Sequence, residues 1–153
     1  MVIDAGGAPY LAAAMLRRLE GLRRVPYYCP AGRLTVGYGH VILPHEQDLQ
    51  AGVTEAEAEA LLLRDLAWAL FAARDVGRVL TDGQAAALAC LIFNIGVRAW
   101  VDSTIRRLVV VGDMAGAAGQ FERWNKVAGA VNEGLVSRRA KERRIFEGAI
   151  WIG

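Results

Sequence analysis

Hydrophobic positions recur at helical spacing over most of the chain. From about 54 to 77, a capping-box pattern precedes apolar positions that fall on one face of a long helix. From Gln84 to about Ile95 the chain is apolar nearly all round, which predicts a buried central helix capped by Thr81 or Asp82. The pattern therefore indicates a mainly helical protein.

Helix start and stop signals predict four more helices. Pro9 suits the first turn of a helix and Gly21 can end it, which places Glu20 at the helix end. The other predicted helices run from Ser103 to about Gly112, from Asp113 to about Lys126 and from Leu135 to Glu147, with a loop at 129–134.

The segment from Val25 to His40 is rich in strand-forming residues and predicts a small hairpin. Its turn, at 29–32, has proline second and glycine fourth, as a type I turn prefers. Strand alternation would place Thr35, Gly37 and Gly39 on one face that carries almost no side chains. Such a face either floors a ligand groove or marks a bulge or tight bend, and the pattern leaves both open.

These elements predict an α+β fold in a single domain, 1–153, in which a small N-terminal hairpin lobe and a larger helical lobe enclose a cleft. The hairpin lobe covers about 21–53, and the long connecting helix covers about 54–77. The helical lobe covers about 78–153 together with the N-terminal helix at about 9–20.

Composition and charge exclude several classes of protein. Of the 153 residues, 54% are hydrophobic and 22% are charged, which excludes a disordered chain. The longest apolar run, Ala85 to Phe93, is too short to span a membrane, and the N-terminus, with Asp4 and Pro9, lacks the pattern of an export signal. A net charge of +2 gives no argument for nucleic acid. Basic residues cluster around Glu20 and at 138–144, which fits either solvated helix faces or attraction to an anionic polymer.

Three polar residues are predicted to converge near the hairpin. Glu20 ends the helix that leads into it, and Cys29 and Thr35 lie on opposite sides of the short turn. The two cysteines, Cys29 and Cys90, have neither the number nor the spacing of a disulfide framework or a zinc site, and Cys90 is expected in the core. Taken alone, Glu20 has the position of an ordinary surface glutamate.

The spacing of Glu20, Cys29 and Thr35 resembles the catalytic triad of phage-type lysozymes, the muramidase endolysins, whose middle position is aspartate or cysteine. Further segments are similar to that family's pattern, so that the resemblance covers about 10–148: they lie at 20–22, 35–40, 84–87, 93–96, 103–104, 121–124 and 134–142. The resemblance implies a lysozyme-like fold. It also implies hydrolysis of the β-1,4 bond between N-acetylmuramic acid and N-acetylglucosamine in peptidoglycan, with no cofactor.

The same resemblance implies a role for each triad residue. Glu20 is expected to be the general acid, partly buried so that it holds its proton near neutral pH. Thr35 is expected to position the attacking water. Cys29 is harder to interpret, because a thiol is a poor replacement for a carboxylate base. It acts either as a thiolate or as a neutral thiol that helps hold water, and the family favours inversion at the anomeric carbon.

Supporting residues also follow from the resemblance. Asn94 and Arg139 are expected to bind substrate, and Arg139 is also expected to contact Glu20. His40 and Asp65 are expected to form a structural ion pair. The two histidines do not have the spacing of a metal site, so no metal is expected.

None of the four tryptophans is assigned a site role. Trp124 is expected in the core. Trp68, Trp100 and Trp151 fit either packing or sugar stacking.

Other functions fit parts of the sequence. A peptidoglycan-binding module would keep the groove with little or no catalysis, a membrane-active basic helix at 135–147 would act without Glu20, and a lytic transglycosylase would cut the same bond without water. The expected partner is bacterial peptidoglycan, with no nucleic acid, no stable membrane insertion and a monomeric protein. Such an enzyme would be made in the host cytoplasm and would reach the cell wall after release by another factor.

Overall fold

The computed structural model describes residues 6–153. Asp4, used in the export-signal argument, lies outside the described residues. In chain order the elements are α1 (Ala8–Glu20), β1 (Arg23–Tyr28), β2 (Leu34–Gly37), β3 (His40–Val41), α2 (Glu55–Arg74), α3 (Asp82–Ile95), α4 (Val97–Val101), α5 (Thr104–Val111), α6 (Met114–Gln120), β4 (Lys126–Val127), β5 (Ala130–Val131) and α7 (Glu133–Phe146). Short 3-10 turns lie at Gln47–Ala51 and Phe121–Arg123.

Helix α1 has the bounds that the sequence predicts. Pro9 lies in its first turn, and Gly21 ends it with a φ of 70°. The backbone N–H of Ala8 donates to Asp82 Oδ1 at 3.2 Å, which ties the start of α1 to the start of α3. Because its inner face is buried in the core, α1 holds Glu20 in a fixed position at its C-terminal end.

Helices α2 and α3 form the centre of the helical part. Each begins with a complete capping box, Thr54 with Glu57 and Thr81 with Gln84. All residues from 85 to 92 are buried, because α3 packs against α1, α2 and α7. The prediction of a central buried helix is confirmed, while α2 ends at Arg74, slightly earlier than expected.

The sheet has three antiparallel strands in the order β1-β2-β3, so the predicted two-stranded hairpin is incomplete. Tyr27 pairs with Thr35, and Val36 pairs with His40. Strand β2 ends at Gly37, and the chain bends back through Gly39, with φ of 69° and 74° at the two glycines. The predicted alternation of faces across 35–40 is therefore wrong beyond Gly37, since left-handed glycines reverse the strand there.

The C-terminal third differs more from the prediction. Ser103 caps α5 as expected, but α4 was not predicted, and the helix expected over 113–126 ends at Gln120. The small hairpin β4–β5 lies across the predicted end of that helix and the start of the loop expected at 129–134, and its turn has positive φ at Ala128 and Gly129. Two-residue strands carry too few positions to show an alternating pattern.

The architecture is α+β and mostly helical, with the three-stranded sheet placed in the chain between α1 and α2. Sheet and helices share one core, since Gly37 lies against Ala58 of α2 closely enough that a Cβ on the glycine would be 3.3 Å from the alanine Cβ. This packing holds the sheet against α2.

Candidate active site

Glu20 lies at the C-terminal end of α1 with its side chain 16% exposed. Its Oε1 accepts a hydrogen bond from Arg138 Nη1 at 2.6 Å. Because α1 ends at Gly21, the chain turns away there and leaves the carboxylate facing the sheet. Glu20 is therefore partly buried, as the role of a general acid requires.

The second carboxylate oxygen of Glu20 lies against the backbone of Gly39. A Cβ on Gly39 would be 2.7 Å from Glu20 Oε2, closer than such contacts occur in proteins. The glycine-rich segment is thus a tight bend, one of the two alternatives that the sequence left open. Glycine is needed at position 39, because only a residue without a side chain leaves room for the Glu20 carboxylate beside the bend.

Cys29 and Thr35 are joined through one carbonyl oxygen. The Arg33 carbonyl accepts the backbone N–H of Cys29 at 2.9 Å and the hydroxyl of Thr35 at 2.9 Å. Gly32 N–H donates to the Cys29 carbonyl at 2.8 Å, which closes the predicted turn. The tight turn therefore fixes the thiol and the hydroxyl relative to each other.

The surroundings of Cys29 favour its thiolate form. Burial raises the pKa of the thiol. Hydrogen bonds from the backbone of Arg33 and Ala31 and from the Thr35 side chain, together with the charge of Arg33, lower it by more, so the pKa of Cys29 is below its ordinary value. The thiol is accordingly better suited to act as an anion than the sequence suggests.

Tyr27 is a site residue that sequence reasoning missed. It pairs with Thr35 across the sheet, and the Arg23 guanidinium stacks over its ring with Cζ 4.2 Å from the ring centroid. Burial raises the pKa of its phenol, and the negative charge of Glu20 raises it further. Tyr27 therefore lies within the electrostatic reach of Glu20 and links it to the strand that carries Thr35.

The arginine that contacts Glu20 is Arg138 and not Arg139. Neighbouring positions on a helix point about 100° apart. Arg138 faces α1 and α3, where it donates to Glu20, to Glu142 Oε1 at 3.0 Å and to the Cys90 carbonyl at 3.1 Å. The prediction of an Arg139–Glu20 contact is wrong, because the sequence alone does not show which of two adjacent arginines faces Glu20.

Arg139 is fully buried and lies behind Asn94. It donates to Asn94 Oδ1 at 3.0 Å and to Glu142 Oε1 at 2.9 Å, while its Nε lies 2.7 Å from Glu142 Oε2 in ion-pair contact without hydrogen-bond geometry. The structure thus places Asn94 at the surface and leaves Arg139 with no area for a ligand. Arg139 orients Asn94, and substrate contact by Arg139 itself is not supported.

A cavity of about 530 Å³ is bordered by the sheet, α2 and the α3–α4 junction. Gly39 lines this cavity and also lies against the Glu20 carboxylate, so one residue connects the cavity lining to the acid. The other lining residues are His40, Val41, Leu43, His45, Glu46, Arg64, Asp65, Trp68, Ala69, Ile92, Phe93, Gly96 and Val97. This mixture of apolar walls and separated polar groups is typical of a site for a small ligand or a section of polymer.

His40 is held between two carboxylates. Its Nδ1 lies 2.7 Å from Asp65 Oδ2, the partner expected from the sequence, and its Nε2 lies 2.8 Å from Glu46 Oε2. Burial lowers the pKa of His40, but the bonds to Asp65 and Glu46 raise it more. Glu46 was missed because it lies in an irregular loop. Burial raises its pKa, yet the Leu43 N–H, His40 and Arg64 together lower it to about 2.

Comparison with known proteins decides the family. The sequence profile of the family described as phage lysozyme matches residues 17–142. The chain belongs to the phage lysozyme family. It is 38% identical over 142 residues to an endolysin of Acyrthosiphon pisum secondary endosymbiont phage 1, covering 88% of this chain and 94% of that protein.

Solved structures of the lysozyme family show the same fold. The muramidase domain of SpmX from Asticaccaulis excentricus is 34% identical with a TM-score of 0.77, covering 88% of this chain and 93% of that one. An endolysin from Escherichia coli O157:H7 phage FAHEc1 is 26% identical with a TM-score of 0.83, covering 100% and 98%. The predicted lysozyme-like α+β fold is confirmed.

Within 6–153, no cluster of histidine, cysteine and carboxylate side chains has the arrangement of a metal site. Over the same residues, no helix combines the length and apolar character that a membrane span needs.

Proposed function

We propose that this chain is a peptidoglycan muramidase that hydrolyses the β-1,4 bond between N-acetylmuramic acid and N-acetylglucosamine. The observation that carries the proposal is the position of Glu20, partly buried against Gly39, which lines the cavity, with Thr35 in the neighbouring sheet and Cys29 in the turn between β1 and β2. Membership of the phage lysozyme family supports the same activity.

Glu20 is the general acid of this reaction. Its Oε1 accepts a hydrogen bond from Arg138, so a proton for the leaving group is best carried on Oε2, the oxygen beside Gly39. Since Gly39 both lines the cavity and lies against Oε2, the proposal places the glycosidic oxygen beside Gly39, within reach of Oε2. Proton transfer to that oxygen breaks the C–O bond and leaves Glu20 as a carboxylate.

Thr35 and Cys29 act on the water that attacks the anomeric carbon. The Thr35 hydroxyl is held by the Arg33 carbonyl, which fixes its orientation for a water molecule. The lowered pKa of Cys29 supports a thiolate that accepts the proton of the water and balances the positive charge on the sugar. Attack from the face opposite to the acid gives inversion.

Asn94, exposed and oriented by Arg139, is available to bind a sugar amide or hydroxyl group.

The activity is tested with purified cell walls. The parent should lower the turbidity of a wall suspension and release reducing ends, and Glu20→Gln should reduce the rate by about 10²-fold or more while the protein stays folded. An anhydro sugar among the products would indicate a lytic transglycosylase instead. Wall binding without reducing ends would indicate a binding module, and equal rates for the parent and Glu20→Gln would exclude Glu20 as the acid.

Anomeric NMR of fresh products tests the stereochemistry and the thiol together. Inversion predicts that the first product has the α configuration. Cys29→Asp should keep the outcome and much of the rate, whereas Cys29→Ser, which cannot ionise at neutral pH, should be slower by about 10²-fold. A β product, or a covalent glycosyl adduct on Cys29, would contradict the proposed water attack.

A further inference from the structure

The four tryptophans have different environments. Trp100 is fully buried, with its indole N–H donating to the Ala72 carbonyl at 3.1 Å. Trp124 and Trp151 pack against the core. Trp68 is 68% exposed, on the outer side of α2. The core packing that accounts for the other three therefore does not account for Trp68.

Trp68 lines the same cavity as Gly39. It lies one helical turn after Asp65, which also lines the cavity and holds His40. Gly39 lines the same cavity and touches the Glu20 carboxylate. The cavity thus extends from the glycine that lies against the acid to the indole of Trp68.

The groups around Trp68 have the chemistry that a sugar ring needs. Leu43 and Val97 provide apolar area near the indole, and His45 and Arg64 provide polar groups. The Arg64 guanidinium is held in place by Glu46 Oε1 at 2.7 Å. A pyranose has an apolar face of C–H groups and a rim of hydroxyl and acetamido groups, which match an aromatic face bordered by fixed polar side chains.

We propose that Trp68 is a glycan-binding residue, whose indole stacks on an N-acetylhexosamine ring of the strand at some distance from the bond that is cleaved. The inference rests on the proposed muramidase function and deepens it, since it assigns a residue that sets affinity for longer glycans. Because the stacked ring is remote from the reacting bond, Trp68 contributes equally to substrate and transition-state binding. It should therefore affect KM and not kcat.

Phe71 provides a matched control. It is 70% exposed and lies one turn further along α2, but it does not line the cavity. Both side chains are largely in water, so alanine at either position should leave the fold intact, with changes in unfolding free energy near those of ordinary surface substitutions.

Binding is measured by calorimetry with a long, peptide-free glycan oligosaccharide, in a Glu20→Gln background that prevents turnover. Adding Trp68→Ala should weaken Kd by about 3- to 10-fold, the value of an aromatic stacking contact. Trp68→Tyr should restore most of the affinity, and Phe71→Ala should change Kd by less than about 2-fold. On cell walls, Trp68→Ala in the active parent should raise KM by a similar factor with kcat unchanged.

Indole NMR gives a site-specific reading. The Trp68 Nε1–H signal, assigned by its loss in Trp68→Tyr, should shift on addition of the oligosaccharide, while the buried Trp100 signal should not. Binding that Trp68→Ala leaves unchanged, or a Trp68 signal that does not move, would overturn this inference and leave the muramidase proposal standing. Failure of the Glu20→Gln protein to bind the oligosaccharide at all would overturn both.

Discussion

Arg138 Nη1 lies 2.6 Å from Glu20 Oε1, although the two residues are 118 positions apart in the chain. The same guanidinium donates to Glu142 and to the Cys90 carbonyl, so all three of its nitrogen atoms are used. The carboxylate of Glu20 is thus positioned by an arginine that is itself fixed by α7 and α3. The position of the acid depends on packing between the N-terminal and C-terminal helices.

Glu142 should be important for stability. It is fully buried and lies between Arg138 and Arg139, so Glu142→Gln leaves two buried guanidinium groups without their shared counter-charge. Burial raises the pKa of Glu142 despite both arginines, so desolvation offsets part of the pairing. We expect a loss near the lower end of the usual range for a broken buried pair, about 3 kcal/mol in urea unfolding.

The control for this change is Glu122→Gln. Glu122 is 66% exposed and pairs with Arg143, so its replacement should cost under about 1 kcal/mol. Equal losses for the two substitutions would show that the buried pairs stabilise no more than a surface pair.

Gly39→Ala should damage catalysis more than stability. The new Cβ would lie 2.7 Å from Glu20 Oε2, so the carboxylate must move, and a shift of about 1 Å in a catalytic group can reduce the rate by about 10²-fold. The positive φ of 74° adds strain of about 1–2 kcal/mol. Rates on cell walls and thermal unfolding would measure the two effects separately.

Gly77→Ala is the matched control for Gly39→Ala. Gly77 lies between α2 and α3 and also has a positive φ, 65°, but nothing lies within 4 Å of its added Cβ. It should show similar backbone strain with little change in rate. If both variants lose activity equally, the effect comes from general backbone strain and not from the contact with Glu20.

The predictable part of the fold is the part with local signals. The capping box at Thr54, the cap at Thr81 or Asp82 and the helix end at Gly21 are properties of a few adjacent residues; the first and last are confirmed, and Thr81 is the cap of the second helix. The bend between Gly37 and Gly39 was only one of two alternatives. It depends on φ values that glycine permits but does not require.

The site was predictable where spacing along the chain defines it. Glu20, Cys29 and Thr35 lie on adjoining elements, so one helix end and one turn determine their positions, and the contact of Cys29 and Thr35 with the Arg33 carbonyl follows from the turn. The contacts of Arg138, Arg139 and Glu46 depend on how distant elements pack. A difference of one helical position decides whether an arginine faces Glu20 or Asn94, and a pattern of basic residues does not contain that information.

The His40 cluster should make stability depend on pH in both directions. The folded pKa of His40 is raised, so its contribution is fully present below about 6.5, the unfolded value, and is lost as pH rises through the folded value. The folded pKa of Glu46 is lowered to about 2, so its contribution is present above 4.5 and is lost as pH falls toward 2. The cluster therefore stabilises most between these limits.

Asp65→Asn tests the upper limit. It removes one of the two carboxylates that hold His40, so the histidine pKa measured by NMR should fall, with His45 as internal reference. The loss of unfolding free energy should be larger at about pH 5.5 than at about pH 8.5, on either side of the unfolded histidine value. The control is Glu59→Gln. Glu59 lies on the same helix as Asp65 and pairs with Arg17 at the surface, so its replacement should show no such dependence on pH. An unchanged histidine titration would rule out the pair as the cause.

Cys29 should react with iodoacetamide in the native protein with a midpoint below that of the unfolded protein, because its surroundings lower the pKa of the thiol. Cys90 is buried and its pKa is raised, so Cys90 should stay unmodified until the protein unfolds, which makes mass spectrometry of the native protein specific for Cys29. Thr35→Val removes the Thr35 hydrogen bond while nearly preserving shape, and it should move the midpoint upward. If the midpoint of the parent equals that of unfolded Cys29, the thiolate has no special stabilisation, and Cys29 can only hold water as a neutral thiol.

The pH dependence of kcat/KM separates a thiolate role of Cys29 from a neutral-thiol role. A thiolate that acts in the reaction gives an acidic limb at the alkylation midpoint, and Cys29→Asp should move that limb to lower pH.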